Sequence, residues 1–230
     1  LEAALRALPA LGFSGCNLTI PHKVAAMALV DEAEDSARRI GAINCVVVRP
    51  DGRLIGRNYD GFGFVESLFE AAPGFRPGDG PVLALGAGGG ARAVVAGLQD
   101  AGAKRIMVTN RSPHRAQALA RDLGVDCVPW EDRAAAVGEA ALLVNTTSLG
   151  MAGQPALEID LSRLAPRALV ADIVYVPRET DLLRVAREKG CRTVNGLGML
   201  LHQARPAFRD WFGVMPQVTP QLRAMIEATL

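Results

Sequence analysis

The chain has 230 residues, half of them apolar and 21% charged, with a formal net charge of +1. A balance so near neutral leaves no basic face for nucleic acid, and no apolar run approaches the ~20 residues of a membrane span, so neither partner is expected. Four cysteines, Cys16, Cys45, Cys127 and Cys191, lack C-x-x-C spacing and stand in apolar, strand-like surroundings, which fits free thiols acting as small hydrophobes in a cytoplasmic setting. The sequence opens at Leu1 in the amphipathic run "LEAALRALPALG" without a methionine or a signal-peptide pattern, which reads as a truncated start.

In chain order, the first third predicts a small α/β unit. Strand "GCNLTI" is followed by helices near 22–30 and 34–40, strand "INCVVV", the turn "RPDGR", strand "LIGRN" and a helix from about Gly61. Asp51-Gly52 between two apolar runs signals a hairpin, so this sheet should be mixed. The Pro/Gly-dense stretch "AAPGFRPGDG", residues 71–80, marks a boundary. Beyond it, "PVLALG", "RIMVTN", "VDCVP", "ALLVN", "ALVADI" and "CRTV" read as strands, with helices such as "ARAVVAGLQDAG", "PHRAQALARDLG" and "ETDLLRVAREKG" between them. That alternation predicts a doubly wound parallel sheet with right-handed crossovers. The division expected is residues 1–72, rejoined by C-terminal helices 196–230, and residues 73–195.

Within "LALGAGGGARAVVAGL", Gly86, Gly88 and Ala91 fit G-x-G-x-x-G/A between a strand and a helix, with Gly89 and Gly90 inside the run. Glycine lets a pyrophosphate approach the backbone, and the free N–H groups and dipole of the helix N-terminus attract it, so the second unit is expected to be a Rossmann-type dinucleotide domain. An NAD site usually places an acidic residue at the end of the next strand, yet nothing acidic occurs from Ala101 to Pro113. Asn110, Arg111 and Ser112 stand there, followed by Arg115, which offers guanidinium groups to a ribose 2′-phosphate; NADP is therefore the expected cofactor. His114 beside them is given no role, and no metal site is expected.

Upstream, Thr19 and Lys23 project from a strand end and a helix start, Asn44 interrupts an apolar strand, and Asp60 follows another. Singly these read as turn formers, caps or a solvated lysine. Together with the downstream segments, however, the sequence resembles the shikimate dehydrogenase family. "NLTIPHK", "RRIGAINCVV", "DGRLIGRNYDGFGF", "GAGGGARAV", "NRSPHRA", "NTTSLGM", "DIVYVPRETDLL" and "NGLGMLLHQA" occur in the family's order and spacing over essentially the whole chain.

The resemblance implies an NADP-dependent enzyme interconverting 3-dehydroshikimate and shikimate in aromatic biosynthesis, with Lys23 and Asp60 as the catalytic pair. Lys23 would serve as general acid/base or as an electrostatic stabiliser of the reacting oxygen. Thr19, Asn44 and Gln203 would bind substrate hydroxyls, and Tyr175 would approach the substrate. Asn145 and Thr146 would lie by the nicotinamide half of the cofactor through backbone or amide contacts. Gly196 and Gly198 would allow a close approach there, and Met199 would touch the ring. His202 reads as packing or surface. Relatives acting on quinate or an aminated analogue, and a noncatalytic dinucleotide sensor, are the competing readings; a monomer or homodimer is expected.

Three departures stand against the family pattern. Its N-terminal β-α unit, with a Ser-x-Ser pair for the substrate carboxylate, does not occur in this sequence: with that unit supplied the activity should be ordinary, whereas a complete chain starting at Leu1 should bind NADP with poor or no shikimate turnover. Tyr59 brings a bulky phenol beside Asp60 where a small or hydroxyl residue is common, and Val176 stands where many members have asparagine.

Overall fold

A computed structural model describes residues 1–19 and 21–230. Helix α1 (Glu2–Ala7) precedes strand β1 (Gly15–Asn17), and a single helical turn α2 (His22–Ala25) relaxes into 3-10 geometry over Ala26–Ala28. Strand β2 (Glu32–Ala33), helix α3 (Asp35–Ile40) and the hairpin β3 (Cys45–Val48) and β4 (Leu54–Arg57) lead into the long helix α4 (Asp60–Ala71). The first sheet runs β1-β3-β4-β2. β3 pairs antiparallel with β1 and β4, whereas β2 joins β4 in parallel. The expected mixed sheet is present, and β2 is an addition to it: two residues are too short to show a periodicity. Of the predicted strand over residues 15–20, β1 retains Gly15–Asn17, and Ile20 lies outside the described residues. Asn44 sits one residue before β3 rather than inside it.

The second sheet alternates with helices: β5 (Val82–Leu85), α5 (Gly89–Asp100), β6 (Ile106–Thr109), α6 (Pro113–Leu123), β7 (Asp126–Cys127), α7 (Arg133–Glu139), β8 (Leu142–Asn145), β9 (Leu169–Asp172), α8 (Asp181–Glu188) and β10 (Arg192–Val194). Its six strands are all parallel, in the order β10-β9-β8-β5-β6-β7. Counted from β5, that is the doubly wound arrangement with its reversal between β5 and β8, the place where such sheets open a crevice for ligands. Four of the strands are buried along their whole length, which is why they read as continuous apolar runs. One sheet face packs on α5, α6 and α4, the other on α7 and α8. At the edge, Cys127 is exposed, which corrects the expectation that all four thiols lie in apolar surroundings.

Helix α9 (Leu197–Phe212) returns the chain from β10 to α4, and α10 (Pro220–Glu227) follows, its N-terminus capped by the Thr219 hydroxyl accepting from Leu222 N–H. The two sheet units meet chiefly where α4 lies on α5. That crossing depends on glycine at both positions: a Cβ on Gly61 would lie 2.5 Å from the Ala93 carbonyl oxygen, and one on Gly97 would lie 2.7 Å from that of Gly61.

Candidate active site

A cavity of about 510 Å³ lies between the two units, beside the strand reversal. Thr19, Lys23 and Asp60 line one wall. Gly88, Gly89 and Gly90, with Thr146 and Tyr175, line the other, and Gly196 and Met199 of the returning chain complete it. Segments far apart in sequence are thus gathered at one cleft.

At its centre the Lys23 Nζ donates to Asp60 Oδ2 at 2.6 Å, with side-chain exposures of 22% and 6%. Asp60 opens α4, where the unpaired N–H groups and dipole favour a carboxylate. Its own backbone N–H donates to the Asn58 side chain, a local turn that fixes the entry angle of the helix. The Asn58 amide in turn donates to the Ala42 carbonyl at 2.9 Å, anchoring that turn beside Asn44. Sequence reasoning passes over Asn58 because it reads as one more polar turn residue.

Asn44 is 1% exposed. Its amide donates to Asp60 Oδ1 at 2.9 Å and Gln203 Oε1 at 3.0 Å, while its carbonyl oxygen accepts from the Tyr59 N–H at 2.9 Å. Asn44 and Gln203 therefore stand behind the carboxylate, and with every polar group of Asn44 engaged, its expected direct contact with a substrate hydroxyl is corrected to holding Asp60 and Gln203 in place. The Tyr59 phenol is turned away from the Lys23–Asp60 pair: it donates to Asp210 of α9 and accepts from Arg57. Burial together with Asp210 pushes this phenol up from its ordinary value, so it stays protonated and serves packing.

The opposite wall suits a dinucleotide. Gly86 has φ +116°, and a Cβ there would meet the Thr146 hydroxyl at 2.6 Å. Beyond it, α5 begins at Gly89 with Gly88 as an N-cap that supplies no side chain, and a Cβ on Gly88 would enter open space. Bare N–H groups at a twelve-residue helix therefore face the cleft, the donor set a pyrophosphate needs. Ala91 is buried in the packing of α5 on the sheet. Asn110, Arg111, Ser112 and Arg115 follow the end of β6, with Arg111 and Arg115 exposed. Neither arginine forms an ion pair among the described residues, which leaves two guanidinium groups for a phosphate.

Asn145 is fully buried, and its amide has nothing left for a ligand. It donates to Leu149 O and Asp172 Oδ1, and its oxygen accepts from the Thr147 backbone and hydroxyl. The Thr146 hydroxyl donates to Leu85 O at 2.6 Å. An amide contact from Asn145 to a cofactor is thus corrected to a purely internal role, since both ends of the group are occupied. Asp172 at the end of β9 is pushed up to about 6 by burial, against hydrogen bonds from Val174, Thr180 and Asn145 that favour its charged form. Of the two readings for His202, packing or surface, the structure has it buried, hydrogen-bonded to Glu70.

Among the described residues no group of three His, Cys, Asp or Glu side chains could hold a metal, and no helix is long and apolar enough to cross a membrane.

The profile described as "Shikimate dehydrogenase substrate binding domain" matches residues 1–46, and "Shikimate / quinate 5-dehydrogenase" matches 76–186. A shikimate dehydrogenase (NADP(+)) of Rhodospirillum rubrum is 54% identical, over 98% of this chain and 82% of that relative. The chain belongs to the shikimate dehydrogenase family. Among solved structures, shikimate 5-dehydrogenase from Thermus thermophilus in complex with NADP(H) and shikimate aligns with a TM-score of 0.88 at 39% identity, covering all of this chain and 84% of that one. The quinate dehydrogenase of Corynebacterium glutamicum in complex with NAD aligns with a TM-score of 0.92 at 35% identity, over 99% of this chain and 82% of that one. As a member of the shikimate dehydrogenase family the chain has the two-unit α/β fold of these neighbours, and the parallel sheet is its Rossmann-type half.

Proposed function

We propose that the protein is an NADP-dependent oxidoreductase interconverting 3-dehydroshikimate and shikimate, a step of aromatic amino-acid biosynthesis. The observation that carries this reading is the Lys23–Asp60 pair, held at 2.6 Å in a cleft whose facing wall is an uncapped glycine-rich helix start. NADP, when bound, supplies or receives the hydride. Gly86, Gly88, Gly89, Gly90 and Ala91 would hold its pyrophosphate, and Asn110, Arg111, Ser112 and Arg115 its 2′-phosphorylated ribose. The backbone of Asn145 and Thr146, with Gly196 and Met199, would form the wall at its reactive end.

The chain's own residues then handle the oxygen. Reduction of a ketone to an alcohol places negative charge on that oxygen, and Lys23 delivers the proton that neutralises it; in the reverse direction it takes the proton back. Asp60 holds the ammonium by its Oδ2 while Asn44 fixes Oδ1, so the pair keeps one orientation as charge moves. Thr19, Tyr175 and Gln203 would bind ring hydroxyls, with Asn44 positioning Gln203 from behind. Residues 1–72 with 196–230 would act as the substrate half and 73–195 as the cofactor half, closing on each other to expel water. The four free thiols support a reducing, cytoplasmic compartment, and a monomer or homodimer suffices because one chain supplies both walls.

A quinate-type substrate is the reading that the similarity to the Corynebacterium enzyme favours. Initial rates with shikimate and quinate, each with NADP⁺ and NAD⁺, separate the two. Shikimate with NADP⁺ should give the highest kcat/KM; quinate with NAD⁺ in first place overturns the assignment, and cofactor binding without turnover of either acid points to a sensor.

A further inference from the structure

Asp172 is 1% exposed, and no cation pairs with it among the described residues. A carboxylate so placed is costly to bury, and its compensation is three neutral donors. Those donors stand at three points: Asn145 at the end of β8, and Val174 and Thr180 at either end of the connection between β9 and α8. Oδ1 accepts from Asn145 Nδ2 at 3.0 Å and from the Val174 N–H at 3.0 Å; Oδ2 accepts from the Thr180 hydroxyl at 2.8 Å.

Both stretches, after β8 and after β9, form walls of the cleft. Asn145 holds the turn after β8 by accepting from Thr147 and donating to Leu149, and Thr146, Thr147, Ser148 and Met151 line the cavity. Val174 lies between Ile173 and Tyr175, which line it too. The third donor, Thr180, caps α8 by accepting from Leu183 N–H. Backbone bonds from Ile173 to Asn145 and from Ala152 to Val176 tie the same two loops together along their length. One carboxyl thus sets the register of one loop against the other, below the surface that a ligand would touch.

We propose that Asp172 is a positioning residue for hydride transfer, locking the loops after β8 and β9 into the single arrangement that receives the reactive half of the dinucleotide. The inference rests on the proposed dehydrogenase function. It places no group of Asp172 on substrate or cofactor; its effect passes through Asn145 and Val174. Losing the lock should disturb alignment of the reacting atoms while leaving the adenosine end, held by the glycine run and the arginines after β6, unaffected.

The test compares Asp172→Leu, which removes all three acceptor contacts, with Asp172→Asn, which retains an oxygen for Asn145 and Val174. For Asp172→Leu, kcat with shikimate should fall by about 100-fold, the scale of an ångström-level misalignment, and NADP⁺ should bind about tenfold more weakly by calorimetry. Adenosine 2′,5′-bisphosphate, which lacks the nicotinamide half, should bind both variants within about twofold of wild type, because its site is untouched. Asp172→Asn should recover most of the lost kcat. An unchanged kcat in Asp172→Leu, an equal weakening of both ligands, or no rescue by asparagine overturns the proposal. Should Asp172→Leu not fold, Thr180→Val removes one donor and must still lower kcat without weakening adenosine 2′,5′-bisphosphate. A wild type that binds NADP⁺ yet oxidises no shikimate refutes the dehydrogenase reading instead, and the ratio of the two binding constants still decides the role of Asp172.

Discussion

Replacing Gly97 by alanine adds one methyl group far from any reacting atom, at the crossing of α4 on α5. The new Cβ would lie 2.7 Å from the Gly61 carbonyl oxygen and 2.8 Å from its carbonyl carbon and Cα. All three are backbone atoms, so no flexible side chain can move aside. Ordinary contacts begin near 3.4 Å, which means the helices must separate by somewhat under 1 Å or bend. Overpacking of this kind costs about 1–3 kcal/mol. The catalytic consequence follows from what the helices carry. Lys23 and Asp60 belong to one unit and move together, whereas the glycine-rich helix start belongs to α5, so the separation falls between the proposed proton donor and the wall proposed to hold the hydride partner. Misplacement on that scale is worth roughly 10- to 100-fold in kcat. Urea unfolding and steady-state rates with shikimate and NADP⁺ measure the two effects, and circular dichroism checks that the variant is folded. A Gly97→Ala protein with wild-type stability and kcat would refute the view that this crossing sets the spacing of the two walls.

Lys23→Met should lower kcat by about 10²- to 10⁴-fold, the usual range for a positioned acid or base, with NADP⁺ affinity by calorimetry nearly unchanged; retained turnover would remove Lys23 from the chemistry. Arg111→Ala should raise KM for NADP⁺ by about tenfold or more, since a charge-assisted contact is worth some 1.5–3 kcal/mol, and should leave KM for NAD⁺ alone. Equal effects on both cofactors would place that arginine away from the 2′-phosphate. Asp172 makes a pH prediction with a definite sign. Its carboxyl stands at about 6 in the folded protein against 3.8 ordinarily, so the folded state binds its proton more tightly and the resulting stability, roughly 3 kcal/mol, is present below pH 4 and lost as pH rises through 6. The stability of Asp172→Asn relative to wild type should therefore improve between pH 4.5 and pH 7.5, as read by urea midpoints. A difference that stays flat over that range contradicts the burial argument.

Much of the architecture is legible along the chain because burial on both faces leaves continuous apolar runs, as in "VLAL" of β5 and "LVAD" of β9. The glycine run and the acid-free end of β6 point to the cofactor half for a similarly local reason: a phosphate needs bare backbone beside it. The edge strand β2 is invisible along the chain because two residues carry no pattern. For Asn145 the resemblance implied a backbone or amide contact to the cofactor, and the local sequence offered no means of telling that its amide faces four groups of the protein.

The sequence by itself determined the fold class and the glycine turn suited to a dinucleotide, since these depend on periodicity and glycine geometry, while the candidate chemical residues were legible only through the eight family motifs standing in order. Only the tertiary structure decided which of those residues act together. Lys23 lies 37 positions from Asp60, and Asn44 lies 159 from Gln203; their hydrogen bonds exist because a hairpin, a helix start and a returning C-terminal helix converge. It also decided that Tyr59 faces Asp210 rather than the Lys23–Asp60 pair, and that Asp172 is buried between two loops of the cleft with no cation paired to it among the described residues. Hydrogen bonding and burial are properties of approach in space, and no stretch of local sequence contains them.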